Sequence, residues 1–316
     1  MLRIKLLANW DISDLWKMTP NGDGIWKDYN FNPSESNCYD YVLVLNHPSF
    51  SVNVSAPSTH IWALMQEPYV PGRQEYMMHS HDLYSKVFTH YLPSDNPKYV
   101  KCPPLIPWHV NKTYDELKSM KAPEKKYNIS CVASSKKIYP GHKKRFSYVQ
   151  NLKKSSEIEF DLFGKGQNYI EDKWDALDPY KYSIAIENTS KKDYWTEKIA
   201  DCFLSYTVPF YYGCTNIEEY FPKDSYLWID ITNPEESIEI ISQHILEDDW
   251  EKRLPALEEA RKLVLEKYQF FPFISSLIER YGTQPSVYED ILIKKYQYIT
   301  LRNIVRYINR KMQGIS

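Results

Sequence analysis

The densest group of chemistry-bearing side chains lies in the run Tyr182 to Gly213, which reads YSIAIENTSKKDYWTEKIADCFLSYTVPFYYG. Its pattern predicts a strand, a polar loop, a helix and a second strand. Glu187, Asn188, Tyr194, Thr196, Glu197 and Lys198 then gather in the loop and the first helical turn. Ile199, Cys202, Phe203 and Tyr206 recur at helical spacing and give that helix a face to bury on a sheet. Asp193 or Thr196 can cap its start. Glu197 and Lys198 would sit beside unpaired backbone N–H groups and the positive end of the helix dipole, where anions bind. A lysine there opposes the dipole, so local helix stability does not account for it, whereas a bound diphosphate does. Glu197 is suited to accept from sugar hydroxyls and Tyr194 to donate to a phosphate. Thr-Glu-Lys alone is a frequent polar helix start; the weight rests on the whole run.

The elements that must position these residues follow from hydrophobic patterning. Leu2–Ala8, Tyr41–Leu45, His60–Met65 and Lys86–Thr89 read as strands, the last three as central ones. The charged, proline-containing stretch Lys118–Tyr127 reads as a linker. Beyond it come strand Asn128–Ala133, helix His142–Leu152, strand Ile158–Phe163, strand Tyr182–Ile186, helix Tyr194–Tyr206, strand Val208–Tyr212 and strand Tyr226–Ile229. Such alternation predicts an α/β fold with parallel sheets. The expected organisation is an N-terminal Rossmann-like domain over 1–118, a linker over 119–127, a second Rossmann-like domain over 128–275 and a helical tail over 276–316. Two such halves place a ligand cleft between the carboxyl ends of their sheets. Pro234–Leu246, Trp250–Tyr268 and Val287–Met312 read as helices. In the last, Leu301, Ile304, Val305 and Ile308 form an apolar stripe, and Arg302, Arg306 and Arg310 a basic face. Docking on the body with solvated arginines is the favoured reading, and contact with an anionic membrane surface the alternative.

Bulk properties narrow the classes. The 316 residues carry a net charge of −2, which argues against a nucleic-acid partner. The 27 Tyr and 9 Trp suit sugar sites as well as ordinary core packing. Five cysteines without CxxC spacing, with Cys131 and Cys202 inside apolar runs, read as buried thiols of a reducing compartment. Arg3 and Lys5 interrupt the first apolar run, so it does not read as a signal peptide. The expected location is cytoplasmic, with peripheral contact at the inner membrane through the C-terminal helix left open.

The spacing Glu-Asn-(x)5-Tyr-x-Thr-Glu-Lys-(x)10-Pro-(x)3-Gly resembles the donor-binding motif of glycosyltransferase family 10, the α-1,3/4-fucosyltransferases, and bacterial members in particular. Strand Asn128–Ala133, Ser134-Ser135 and then Lys143-Lys144-Arg145-Phe146 is similar to the family's segment in which an arginine holds the diphosphate. Arg145 is the choice there, with Lys143 and Lys144 as alternative registers. Asp161-Leu162-Phe163-Gly164 is similar to the family's strand ending in a glycine turn. The resemblance covers about residues 128–232 and implies a GT-B-type fold with C-terminal helices, inversion at the anomeric carbon and GDP-β-L-fucose as donor. The donor-binding set is then Arg145, Glu187, Asn188, Tyr194, Thr196, Glu197 and Lys198, with no metal or other cofactor. The acceptor is expected to be an oligosaccharide or lipid-linked glycan, reached at an α-1,3 position of a GlcNAc-containing unit. Glu67, directly after a buried strand and before Pro68, aligns best with the family's catalytic glutamate and is the expected base; Glu75 and Asp82 are weaker candidates. A different nucleotide-sugar donor, or a non-catalytic carbohydrate-binding module on the same fold, are the competing readings.

Other constellations carry less. His79-Ser80-His81-Asp82 has spacing better suited to a strand than to a helical metal site, and reads as solvated loop histidines. Asp175-Ala176-Leu177-Asp178 lacks DxD spacing. Glu247-Asp248-Asp249 reads as a surface run between helices. Gly164-Lys165-Gly166 is too short for a phosphate loop and no GxSxG is present.

Overall fold

Tyr41–Leu45 is buried at all its positions, as a strand must be when both faces of its sheet are covered. A computed structural model describes residues 1–33, 37–70, 74–135, 138–155, 157–284 and 287–297. The chain forms two units. The first holds Met1–Asp14, Lys27–Cys102 and the described residues from Tyr281 on; the second holds Leu15–Trp26 and Pro103–Arg280.

In the first unit, numbering strands along the chain, β1 (Leu2–Ala8), β3 (Tyr29–Asn30), β4 (Tyr41–Leu45), β6 (Ile61–Leu64), β7 (Lys86–Thr89) and β8 (Tyr99–Lys101) form a parallel sheet. Their spatial order is β3-β1-β4-β6-β7-β8. The order therefore reverses between β1 and β4, the place where doubly wound sheets open a crevice at their carboxyl ends. Val42, Val44, Ile61, Ala63 and Val87 pack with Met65, Tyr76 and Met77 into one core. β5 (Val52–Pro57) lies apart from this sheet, paired antiparallel with β14 (Tyr288–Ile293).

The second unit includes β2 (Ile25–Trp26) and a five-stranded parallel sheet in the order β10-β9-β11-β12-β13. Its strands are β9 (Tyr127–Val132), β10 (Asp161–Phe163), β11 (Tyr180–Ile186), β12 (Val208–Tyr212) and β13 (Leu227–Trp228). The same reversal occurs, here between β9 and β11. Helices α1 (Tyr114–Ser119), α2 (Pro140–Ser155), α3 (Glu197–Leu204), α4 (Pro234–Glu247), α5 (Trp250–Leu263) and α6 (Phe270–Tyr281) complete the order. The apolar face expected of α3 is present in buried Ile199, Cys202 and Phe203, whereas Tyr206, also buried, lies past the helix end in a left-handed conformation.

The expected linker position and the expected C-terminal helix need correction. The first unit gives way to the second at Cys102/Pro103 rather than over 119–127. Pro103 opens an irregular segment, and the charged stretch that follows is tied down: Lys126 and Tyr127 N–H groups donate to Pro179 O at 2.8 and 2.9 Å. The helix expected over Val287–Met312 begins instead as strand β14, part of the first unit. Ile291 and Ile293, two positions apart and so on one face, stand opposite Val54 and Val52, a pairing that a helix would forgo. Leu301, Arg302, Ile304, Val305, Arg306, Ile308 and Arg310 lie outside the described residues. Among those described, no helix is long and apolar enough to cross a membrane.

Candidate donor site

Glu187 is the first residue beyond β11, and its N–H still donates to Tyr212 O of β12 at 2.8 Å. Its carboxylate then turns back on the start of α3. Oε1 accepts from Thr196 N at 2.8 Å and from Thr196 Oγ1 at 2.9 Å. Oε2 lies 3.2 Å from Lys198 Nζ. Thr196 is the N-cap, accepting from Lys198 N. Asp193, the other cap candidate, is engaged elsewhere: its backbone is left-handed, and its Oδ1 accepts from Asn216 Nδ2 at 2.9 Å and Tyr220 OH at 2.6 Å. Gly213 is required beside this cluster, because a Cβ there would collide with Glu187 Cγ.

Lys198 is the hub of the cluster. Nζ donates to Thr196 Oγ1 at 3.0 Å and to Glu197 Oε1 at 3.1 Å. Burial works against its charge, but Glu187 and Glu197 overcome that and raise its pKa. Burial would also raise Glu197; Lys198, then His109 and Lys173, outweigh it and hold this carboxyl well below the usual range. One ammonium cannot fully serve two carboxylates. Glu187, with no exposed side-chain surface, is pushed upward by burial despite Lys198. The helix start thus differs from an open anion cradle: Thr196 N and Lys198 N are already taken, and the positive charge available is on side chains.

Arg145 supplies the second cation. It projects from α2 and its Nη1 donates to Asn188 Oδ1 at 2.8 Å, bridging the elements that follow β9 and β11 across the reversal. Arg145 is 8% exposed, and its Nε has no hydrogen-bond partner among the described residues. Burial pulls its pKa below the ordinary value, although a guanidinium stays charged. Lys198 and Arg145 are close enough to repel. Lys143 and Lys144 are exposed, and Lys144 reaches Tyr212 OH at 3.4 Å. Gly141 lets α2 approach this loop, since a Cβ there would overlap the Asn188 carbonyl.

The structure brings Arg145, Glu187, Asn188, Thr196, Glu197 and Lys198 into one network; Tyr194 lies buried in the same loop, near enough to act electrostatically on Arg145. Sequence reasoning missed the support beneath it. His109 Nδ1 is 3.8 Å from Glu197 Oε1. The His109 N–H donates to buried Asp201 at 3.1 Å, and Lys173 Nζ donates to the same carboxylate at 2.8 Å. Asp201 sits one helical turn beyond Glu197 (i, i+4), the one signal that pointed to it.

Glu67 lies in the first unit, exposed, three residues beyond the end of β6. His81 is buried rather than solvated: it meets Tyr76 O at 2.7 Å and Tyr99 OH at 3.3 Å, and burial takes its pKa down to about 4. Glu247-Asp248-Asp249 is likewise not wholly a surface run. Asp249 is 7% exposed and accepts from Tyr182 OH and Arg253 Nε, both at 2.8 Å. His244, Glu247 and Asp249 form a group with metal-like spacing, but Arg253 already neutralises the shared carboxylate. All five cysteines are thiols outside any disulfide, with Cys131 and Cys202 buried.

Residues 122–249 match the family described as Glycosyltransferase family 10 (fucosyltransferase) C-term. The chain is similar to a putative fucosyltransferase-like protein of Arabidopsis thaliana, 38% identical over 89 residues, which is 27% of this chain and 17% of that protein. It is also similar to the alpha-(1,3)-fucosyltransferase FucT of Helicobacter pylori, 34% identical over 73 residues, 23% of this chain and 15% of that protein. The match thus spans less than a fifth of either relative's length. The fold is similar to that of a crystal structure of an alpha1,3-fucosyltransferase with GDP-fucose. The TM-score is 0.50 at 19% identity, covering 92% of this chain and 93% of that one. Fold and motif together define a two-unit α/β protein of GT-B type. The likeness to glycosyltransferase family 10 is carried by residues 122–249.

Proposed function

We propose that the chain is a fucosyltransferase that moves L-fucose from GDP-β-L-fucose to a glycan hydroxyl, with inversion and without a metal. The observation that carries this reading is the pair Arg145 and Lys198, two largely buried cations held close enough to repel, one of them with an unsatisfied N–H. A diphosphate relieves that repulsion and supplies the missing acceptor. In the proposed reaction Glu67 takes the proton from the acceptor hydroxyl as its oxygen attacks the anomeric carbon. The bond from that carbon to the β-phosphate oxygen breaks, and Arg145 and Lys198 stabilise the charge on departing GDP. In this reading Glu197 and Asn188 bind donor hydroxyls, and Glu187 and Thr196, which contact Lys198 and each other, hold its ammonium in place. The H. pylori relative's name supports fucose and an α-1,3 linkage, and a GlcNAc-containing acceptor is proposed by likeness to the mouse 4-galactosyl-N-acetylglucosaminide 3-alpha-L-fucosyltransferase 9.

Calorimetric titration with GDP, GDP-fucose and a panel of UDP-, CMP- and other GDP-sugars in EDTA tests this reading. Binding confined to GDP and GDP-fucose is expected. Preference for another nucleotide sugar overturns the donor, and binding to none of them overturns the enzyme.

A further inference from the structure

Beyond β6, side-chain amides take over from the sheet. β4 and β6 run in register to Leu45 and Leu64. At Asn46 the backbone turns left-handed, with φ 59°, a conformation asparagine adopts more readily than most residues. Its N–H still donates to Leu64 O at 2.8 Å. Its side-chain Oδ1 accepts from Gln66 N at 2.8 Å, standing in for the carbonyl that the ladder no longer supplies. On the opposite side Met65 N donates to Phe88 O of β7 at 2.9 Å.

The residues after β1 close the network. Asn46 Nδ2 donates to Asn9 Oδ1 at 3.1 Å, and Trp10 Nε1 donates to Gln66 Oε1 at 3.0 Å. Asn46 and Gln66 are 3% and 2% exposed, and a satisfied buried polar network is a rigid connector. It lies where the strand order reverses, between β1 and β4. Glu67 is the next residue, and Pro68 further restricts its backbone.

We infer that Asn46 is a positioning residue that fixes the main chain from which Glu67 presents its carboxylate. This rests on the assignment of Glu67 as the base. Reactions between oriented groups are steep in geometry, so loss of the Asn46 bond lowers turnover without touching the donor site.

The test follows GDP release from GDP-fucose with N-acetyllactosamine as acceptor, which counts both transfer and hydrolysis, using the full chain. Asn46→Ala should lower kcat about 10- to 100-fold and leave KM for GDP-fucose within about twofold. Asn46→Asp keeps the oxygen facing Gln66 N, and the exposed Asn9 amide can turn its NH2 toward it, so most of kcat should return. Asn46→Gly keeps the left-handed turn but not the bond and should stay slow. Should the alanine variant fail to fold, the Asp and Gly pair makes the same comparison. Equal loss in Asp and Gly variants, or unchanged kcat in Asn46→Ala while Glu67→Gln stops turnover, overturns the inference. Full activity in Glu67→Gln overturns the base itself, and no GDP release by the wild-type chain overturns the proposed function.

Discussion

Both sheets reverse their strand order once, yet the two reversals carry opposite chemistry. Between β9 and β11 the second unit gathers Arg145, Glu187, Glu197 and Lys198, largely withdrawn from water and each held by a partner of opposite charge or an amide. Between β1 and β4 the first unit gathers Asn9, Asn46, Gln66 and Trp10, neutral groups that bond one another beside the exposed Glu67. The difference suits the two tasks of the proposed reaction. Stabilising a leaving diphosphate needs charge fixed in advance in a low dielectric, where it acts strongly. A base that must lose and regain a proton gains from a rigid backbone and a solvated carboxylate.

Substitutions that exchange these properties give the largest effects. Glu67→Gln should lower kcat by about 10²- to 10⁴-fold while the Kd for GDP stays unchanged; parallel loss of GDP binding would merge the two roles and end the comparison. Lys198→Ala leaves Glu187 and Glu197 buried without their shared cation, and removing one partner of such a group costs about 3–5 kcal/mol. A fall of that size in urea-unfolding free energy is expected, together with weakened GDP binding. Arg145→Ala should weaken GDP binding by about 10- to 100-fold, the equivalent of about 1.5–3 kcal/mol for hydrogen bonds to a charged group, as read by calorimetry. Its effect on folding should be smaller than that of Lys198→Ala, since its side-chain bond among the described residues is to neutral Asn188.

Burial elsewhere in the second unit supplies a pH test. Lys125 Nζ bonds Asp178 O at 2.7 Å and Ser205 O at 2.6 Å, and burial, opposed by Asp178, brings its pKa down to about 7. In the unfolded chain a lysine titrates near about 10.4. Between these values the unfolded state holds more protons, so stability should rise with pH from about 7 to about 10, by up to about 1.4 kcal/mol per pH unit. Urea midpoints at several pH values should show that slope in the wild type and a flatter one in Lys125→Met.

Local pattern made much of this legible. Tyr41–Leu45, Lys86–Thr89 and Val208–Tyr212 are strands with the bounds their apolar runs suggest. The donor loop was legible because its residues lie within twelve positions of one another. What sequence could not show depends on distant partners. Asp201 matters through His109 and Lys173, which are 92 and 28 residues away. Asn46 and Gln66 look like ordinary loop amides until the sheet sets them side by side. In sequence β14 reads as a helix because its few apolar residues fit either period over so short a span, and β5, which decides the matter, lies more than two hundred residues earlier.

The choice of Arg145 over its two neighbours gives the smallest effect and the sharpest test. Lys143, Lys144 and Arg145 are consecutive, so on a helix they point in three directions. Only Arg145 is buried and bonded to Asn188. Lys143 is exposed near the N-terminus of α2, where a cation opposes the helix dipole and bulk water and salt screen its reach. Lys143→Ala should therefore leave stability unchanged or raise it by up to about 0.5 kcal/mol. The Kd for GDP should move by less than about twofold at physiological ionic strength. If Lys143→Ala instead weakens GDP as much as Arg145→Ala, the diphosphate lies over the exposed face of α2, and buried charge no longer distinguishes one reversal from the other.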